Sequence, residues 1–152
     1  MSGDPLPVPK FNLAVQYAVS ARGLPTRAQF RKWACAALKH DARVTIRIVG
    51  RVEGRVLNQT YRSRDYATNV LTFVFNDKPP FEGDLALCAP VVAREARAQR
   101  KASAAHYAHL TVHGLLHLQG YDHEKDKDAR VMERLETRIM ARLGYVDPYL
   151  KK

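Results

Sequence analysis

Three histidines, His113, His117 and His123, stand within the stretch His113-Gly114-Leu115-Leu116-His117-Leu118-Gln119-Gly120-Tyr121-Asp122-His123. Residues four apart on an α-helix share a face, separated by about 6 Å along the axis. His113 and His117 can therefore aim two imidazoles at one point. Gly120 accepts the left-handed conformation in which helices commonly end. The chain can then turn back and bring His123 to the same point. Three protein nitrogens leave the fourth position of a tetrahedral Zn²⁺ open, as in a catalytic zinc site rather than a structural one. Three imidazoles also suit copper, iron or nickel, so the metal's identity stays open. His109 lies one turn before His113 on the same face. About 12 Å of helix axis separates it from His117, an awkward span for two ligands of one ion, so His109 is expected to support or pack against the site. His106 is expected at the surface.

The same spacing matches the metzincin peptidase pattern H-E-x-x-H-x-x-G-x-x-H, with one departure. Gly114 occupies the place of the glutamate that serves those proteases as general base. A metal site is kept and the peptidase base is lost.

The bulk properties narrow the setting. The chain has 152 residues, enough for a single domain over 1–152 with one sizeable core. Residues 1–9 read as an extended lead-in and 146–152 as a tail. The hydrophobic fraction of 46% argues for a folded chain and against disorder. No apolar run approaches a membrane span, and the N-terminus lacks the regions of a signal peptide. Cys35 and Cys88 are the two cysteines, so neither a disulfide framework nor a cysteine-rich zinc module is expected. A cytoplasmic protein without a membrane or disulfide-linked partner fits. Lys and Arg number 25 against 15 acids, a net charge of +10, which favours a polyanionic partner such as RNA or DNA. Phosphate contacts position without specifying a sequence.

The elements that must position the histidines follow from periodicity. Strands are expected over Phe11–Val19, Arg43–Val49, Thr68–Phe75 and Leu85–Ala89. Thr26 is a suitable N-cap for a helix to about Lys39, with Phe30, Trp33, Ala34, Ala37 and Leu38 as its apolar stripe and Trp33 as a core anchor. Arg51–Tyr61 reads as a short helix with Val52, Val56 and Leu57 inward, and Asn76–Gly83 as a loop. A helix from Val91 to about Gln99 follows Pro90. The histidine helix is expected from about Ala104 to Leu118, capped by Ser103. Asp126 and Asp128 suit the start of a last helix, with Val131, Leu135, Ile139 and Leu143 inward and Gly144 ending it. Strands and helices mix without strict alternation, which predicts an α+β domain with a four-stranded mixed sheet.

The segment His113–His123 resembles the H-G-x-L-H-L-x-G-Y-D-H signature of the YbeY family of bacterial endoribonucleases. Leu57-Asn58-Gln59-Thr60-Tyr61-Arg62, then Asp65 and Thr68-Asn69-Val70-Leu71-Thr72-Phe73, agree with it, as does Gly83-Asp84-Leu85-Ala86-Leu87-Cys88. The departures are Gln119 where an apolar residue is frequent, Thr72 for serine and Val74 for proline. The resemblance covers roughly residues 40–145. It implies a single-strand-specific, metal-dependent endoribonuclease of rRNA (16S 3′-end) maturation and ribosome quality control, acting on single-stranded RNA at the ribosome or its small subunit. It implies His113, His117 and His123 as zinc ligands and singles out Arg62 as the functional arginine. Tyr61 and Asp65 are weaker candidates, expected to be structural.

Within that expectation Arg62 would clamp the scissile phosphate, a task that suits a guanidinium fork better than an ammonium. Either water or the RNA 2′-hydroxyl could attack. Asp122 could orient a ligand histidine or cap the turn. Two rival readings share the histidines: a metallopeptidase, and a ribosome-binding assembly factor whose zinc is structural.

Overall fold

Strand β4 (Phe81–Cys88) is the spine of the molecule. It pairs in parallel with β2 (Ala42–Val49) on one side and antiparallel with β3 (Val70–Asn76) on the other, and β1 (Phe11–Tyr17) pairs in parallel with β2. The sheet order is β1-β2-β4-β3, a four-stranded mixed sheet with five helices among the described residues, as the α+β reading predicts. The computed structural model describes residues 8–122 and 125–150. Seven residues of the expected lead-in, the end of the expected tail and His123 lie outside the described residues.

Parallel neighbours need a crossover, and α1 (Arg27–Ala37) supplies it between β1 and β2. Thr26 caps α1 as expected, with Gln29 completing a capping box. Trp33 and Phe30 are buried and meet edge to face at 5.3 Å between ring centroids. On the inward face of the sheet, Val44, Ile46 and Ile48 stand beside Leu85 and Leu87, with Ile46 opposite Leu85 in the register. Helix α4 (Ser103–Leu118) lies on this face. It packs against α1, β3 and β4, and is flanked by α3 (Ala89–Ala98) and α5 (Asp126–Arg142).

Helix α2 (Arg51–Arg62) packs where Gly54 meets Cys88 and Ala67 and where Tyr61 meets Phe73. Its inward residues are Gly54 and Asn58, whereas Val52 and Val56 are exposed. Two of the three expected stripe residues therefore face outward, while Leu57 is half-buried. A Cβ at position 54 would lie 3.0 Å from Cys88 Sγ, so the close approach selects the glycine face, and Asn58 is satisfied there by donating to the Tyr66 carbonyl at 2.7 Å. Similarly, α5 buries Met132, Glu136, Ile139 and Met140, while Val131 is exposed. Of the expected stripe, Ile139 is buried and Leu135 and Leu143 pack partly against the core, while Met132 takes the inward place expected of Val131. β4 begins at Phe81, so much of the expected Asn76–Gly83 loop is strand. Finally, α4 begins at Ser103 with Ala102 as N-cap and no capping side chain.

Candidate metal centre

Helix α4 carries His113 and His117 one turn apart, both half-buried, so the predicted pair does share a helix face. Between them Gly114 points at the sheet. A Cβ there would lie 2.7 Å from Leu85 Cδ2, with Thr72 Oγ1 3.3 Å away. The helix can seat on β3 and β4 only because this position lacks a side chain. A glutamate in its place would be driven into the sheet.

The end of α4 is shaped by Gly120, whose φ of +97° is the left-handed conformation expected of it. The Gly120 amide donates to the His117 carbonyl at 3.0 Å and the Tyr121 amide to the Leu116 carbonyl at 3.2 Å, the paired bonds of a Schellman motif. This turn puts the Tyr121 carbonyl oxygen 3.2 Å from His117 Nδ1. A carbonyl can only accept, so Nδ1 carries the proton and Nε2 the lone pair. Asp122 follows, half-buried.

His113 is held in a parallel way by a residue that the sequence reading did not single out. Its Nδ1 lies 3.1 Å from Oε1 of Glu136 on α5. Glu136 is fully buried. Its Oε2 accepts from His109 Nε2 at 2.6 Å and from the Tyr149 hydroxyl at 2.8 Å. Burial pushes the carboxyl up, but hydrogen bonds from His109 and His113 outweigh it and hold the group at about 2. As an anion, Glu136 accepts from His113 Nδ1, and His113 too is left with its lone pair on Nε2.

Both helix histidines thus present the nitrogen a metal takes while an acceptor occupies the other, which is how metal-ligating imidazoles are usually oriented. The donor set fits a divalent ion of the zinc class. His109, His113 and Glu136 also bring donor atoms within 4.8 Å of one another. Their separations of 2.6 and 3.1 Å are those of hydrogen bonds, so the cluster supports the histidines without an ion. His109 thus acts in the supporting role expected of it.

His106 departs from expectation. It is buried, not at the surface, and its Nε2 meets Glu95 of α3 at 2.9 Å. Burial lowers its pKa against the pull of that carboxylate. The partner comes from a different helix, which local periodicity cannot reveal.

Arg62 is the last residue of α2 and is exposed. No hydrogen bond or ion pair holds its side chain among the described residues. Nearby arginines differ: Arg47 is bound to Glu53 and Arg55 to Asp65, both through two nitrogens. Asp65 is therefore ion-paired with Arg55. Tyr61 is 64% exposed, its ring edge-on to Phe73 at 5.0 Å, so the sheet positions it while leaving it open to solvent. The signal that could have found Glu136 is its place, four residues after Met132 and three before Ile139, as a lone acid on an apolar helix face.

The family model described as Endoribonuclease YbeY matches residues 24–144. Proteins named Endoribonuclease YbeY are similar over most of their length. That of Nitrosomonas europaea is 58% identical across 91% of this chain and 84% of its own, and that of Methylobacillus flagellatus is 55% identical across 93% and 95%. The solution structure of TM1509 from Thermotoga maritima shares the fold, with a TM-score of 0.60 at 24% identity, covering 93% of this chain and 99% of that one.

Proposed function

The chain belongs to the endoribonuclease YbeY family, and from that premise we propose that it is a metal-dependent endoribonuclease cleaving single-stranded RNA in 16S rRNA 3′-end maturation and ribosome quality control. The observation that carries the reading is the shared orientation of His113 and His117, each with Nδ1 engaged and its lone pair on Nε2. His113, His117 and His123 would hold the ion, zinc being the first candidate. When bound there, a divalent ion supplies Lewis acidity toward a phosphodiester.

The rest of the work falls to the protein's own groups. Arg62, with no acidic partner among the described residues, is available to fork onto two phosphate oxygens and offset charge developing on them. Glu136 and the Tyr121 carbonyl keep two imidazoles in one tautomer. The exposed rings of Tyr61, Tyr66 and Phe75 are faces on which unpaired bases can stack, a sequence-tolerant mode suited to single strands. The net charge of +10 favours a polyanionic partner such as RNA. The seating of Gly114 against Leu85 speaks against a peptidase, since a general base has no room there.

The test is elemental analysis beside cleavage of single-stranded RNA. His117→Ala should lose bound metal and cleavage together. Arg62→Glu should keep metal content and fold while cleavage falls by at least about 100-fold, the scale of losing one preorganised charge-stabilising donor. Undiminished cleavage by metal-free His117→Ala would remove the metal from the chemistry. A 2′,3′-cyclic phosphate product would assign the attack to the RNA 2′-hydroxyl, and its absence would favour water.

A further inference from the structure

Glu136 is a carboxylate with no solvent exposure and no lysine or arginine among its hydrogen-bond partners. Burying an anion is unfavourable unless its oxygens are satisfied, and an apolar side chain of similar volume would often serve packing as well or better. Here both oxygens are satisfied, by two histidines of α4 and a tyrosine beyond the end of α5. Oε1 takes His113 Nδ1, and Oε2 takes His109 Nε2 and the Tyr149 hydroxyl.

The supporting structure is elaborate for a packing contact. Helix α5 ends at Gly144 in the same paired-bond turn as α4, with Tyr145 N donating to the Met140 carbonyl at 2.9 Å and Gly144 N to the Ala141 carbonyl at 3.0 Å. That turn sends residues 145–150 back along the helix. Asp147 accepts from Thr137 Oγ1 at 3.2 Å and from the Tyr149 amide at 2.9 Å, which sets the Tyr149 ring. The ring meets His109 edge to face at 5.4 Å. Both residues line a cavity of about 1010 Å³. Glu136 does not line it, so these two donors stand between the carboxylate and that open space.

We propose that Glu136 is a positioning residue for the metal centre: held by His109 and Tyr149 through Oε2, it uses Oε1 to keep His113 in the Nδ1–H form and its ring turned so that Nε2 faces the ion. The proposal rests on the metal site of the preceding section and adds the device that presets it. Its distinguishing feature is the division of labour between the two oxygens. An amide of the same shape has only one accepting oxygen. In Glu136→Gln that oxygen is drawn to the side with two donors, His109 and Tyr149, and His113 loses its acceptor.

The test reads the metal-free protein first. Nitrogen-15 NMR of the imidazoles in the full chain should show His113 of the wild type predominantly as the Nδ1–H tautomer, and Glu136→Gln should shift it toward Nε2–H. Competition with a chelating dye should then show zinc affinity reduced about 10- to 100-fold, the usual effect of losing such a partner, with far-ultraviolet circular dichroism unchanged. Glu136→Asp, which keeps two accepting oxygens, should restore part of the affinity. A wild-type His113 found in the Nε2–H form, or exchanging freely between forms, would overturn the proposal without any variant. So would a folded Glu136→Gln that keeps the wild-type tautomer, whatever its affinity. If the Gln variant does not fold, the wild-type tautomer still decides. A wild type that binds no metal would sink the proposed nuclease mechanism while leaving the tautomer measurement valid.

Discussion

At Gly114 the absence of a side chain decides both packing and chemistry. An added Cβ would meet Leu85 Cδ2 at 2.7 Å and Cγ at 3.0 Å, closer than a packed core tolerates. Gly114→Ala is expected to destabilise the fold by about 1–3 kcal/mol through overpacking, read as a lower midpoint in urea. Leu85→Ala alone leaves a cavity, but combined with Gly114→Ala it should destabilise by less than the two single losses added together, because each relieves the other. Strict additivity would show that the two sites do not touch. Gly114→Glu should gain no peptidase activity, since its carboxylate would be driven toward the sheet. Peptide hydrolysis by that variant, blocked by chelation, would contradict the geometry.

Among elements, the junction of α4 with α1 is tied by Gln119. Its Oε1 accepts from the Lys39 amide at 2.8 Å, and its Nε2 donates to the Ala37 carbonyl at 2.9 Å and the Leu115 carbonyl at 3.0 Å. One side chain therefore satisfies the end of α1 and the end of α4 together. Gln119→Leu should destabilise by about 1–3 kcal/mol, since it leaves buried backbone groups without partners. Thermal or urea unfolding would measure it, and an equally stable variant would mean that water replaces the amide. The anchorage matters for the site because the turn that follows Gln119 carries the Tyr121 carbonyl that faces His117.

For the whole molecule, 25 basic residues against 15 acidic ones make RNA binding an electrolyte problem. On single strands each neutralised phosphate contributes a slope of about −0.7 in log affinity against log salt. Affinity of the cleavage-impaired Arg62→Ala variant for an unstructured RNA should show a slope shallower by about that amount than that of the His117→Ala variant, which keeps the arginine. Identical slopes would mean that Arg62 meets no phosphate. No helix among the described residues is long and apolar enough to cross a membrane.

What could be read from sequence follows how local each cause is. The four strands, the Thr26 cap, the left-handed Gly120 and the pairing of His113 with His117 depend on neighbours within a turn or two, and all are visible as period or residue type. The α+β architecture follows from their order. The faces of α2 and α5 were only partly legible in this way: Ile139 is buried as expected. Hydrophobicity pointed to Val52, Val56 and Val131, but contact with Cys88 selected Gly54, and contact with α4 selected Glu136. Glu95 beneath His106, Glu136 behind His113 and Tyr149 behind Glu136 are partners brought from 11, 23 and 13 residues away. The sequence by itself determined which side chains could form a metal site and on what helix. Only the tertiary structure decided which nitrogen of His113 is presented, because a tautomer is set by the acceptor on the opposite side of the ring, and that acceptor, Glu136, is delivered by folding from another helix.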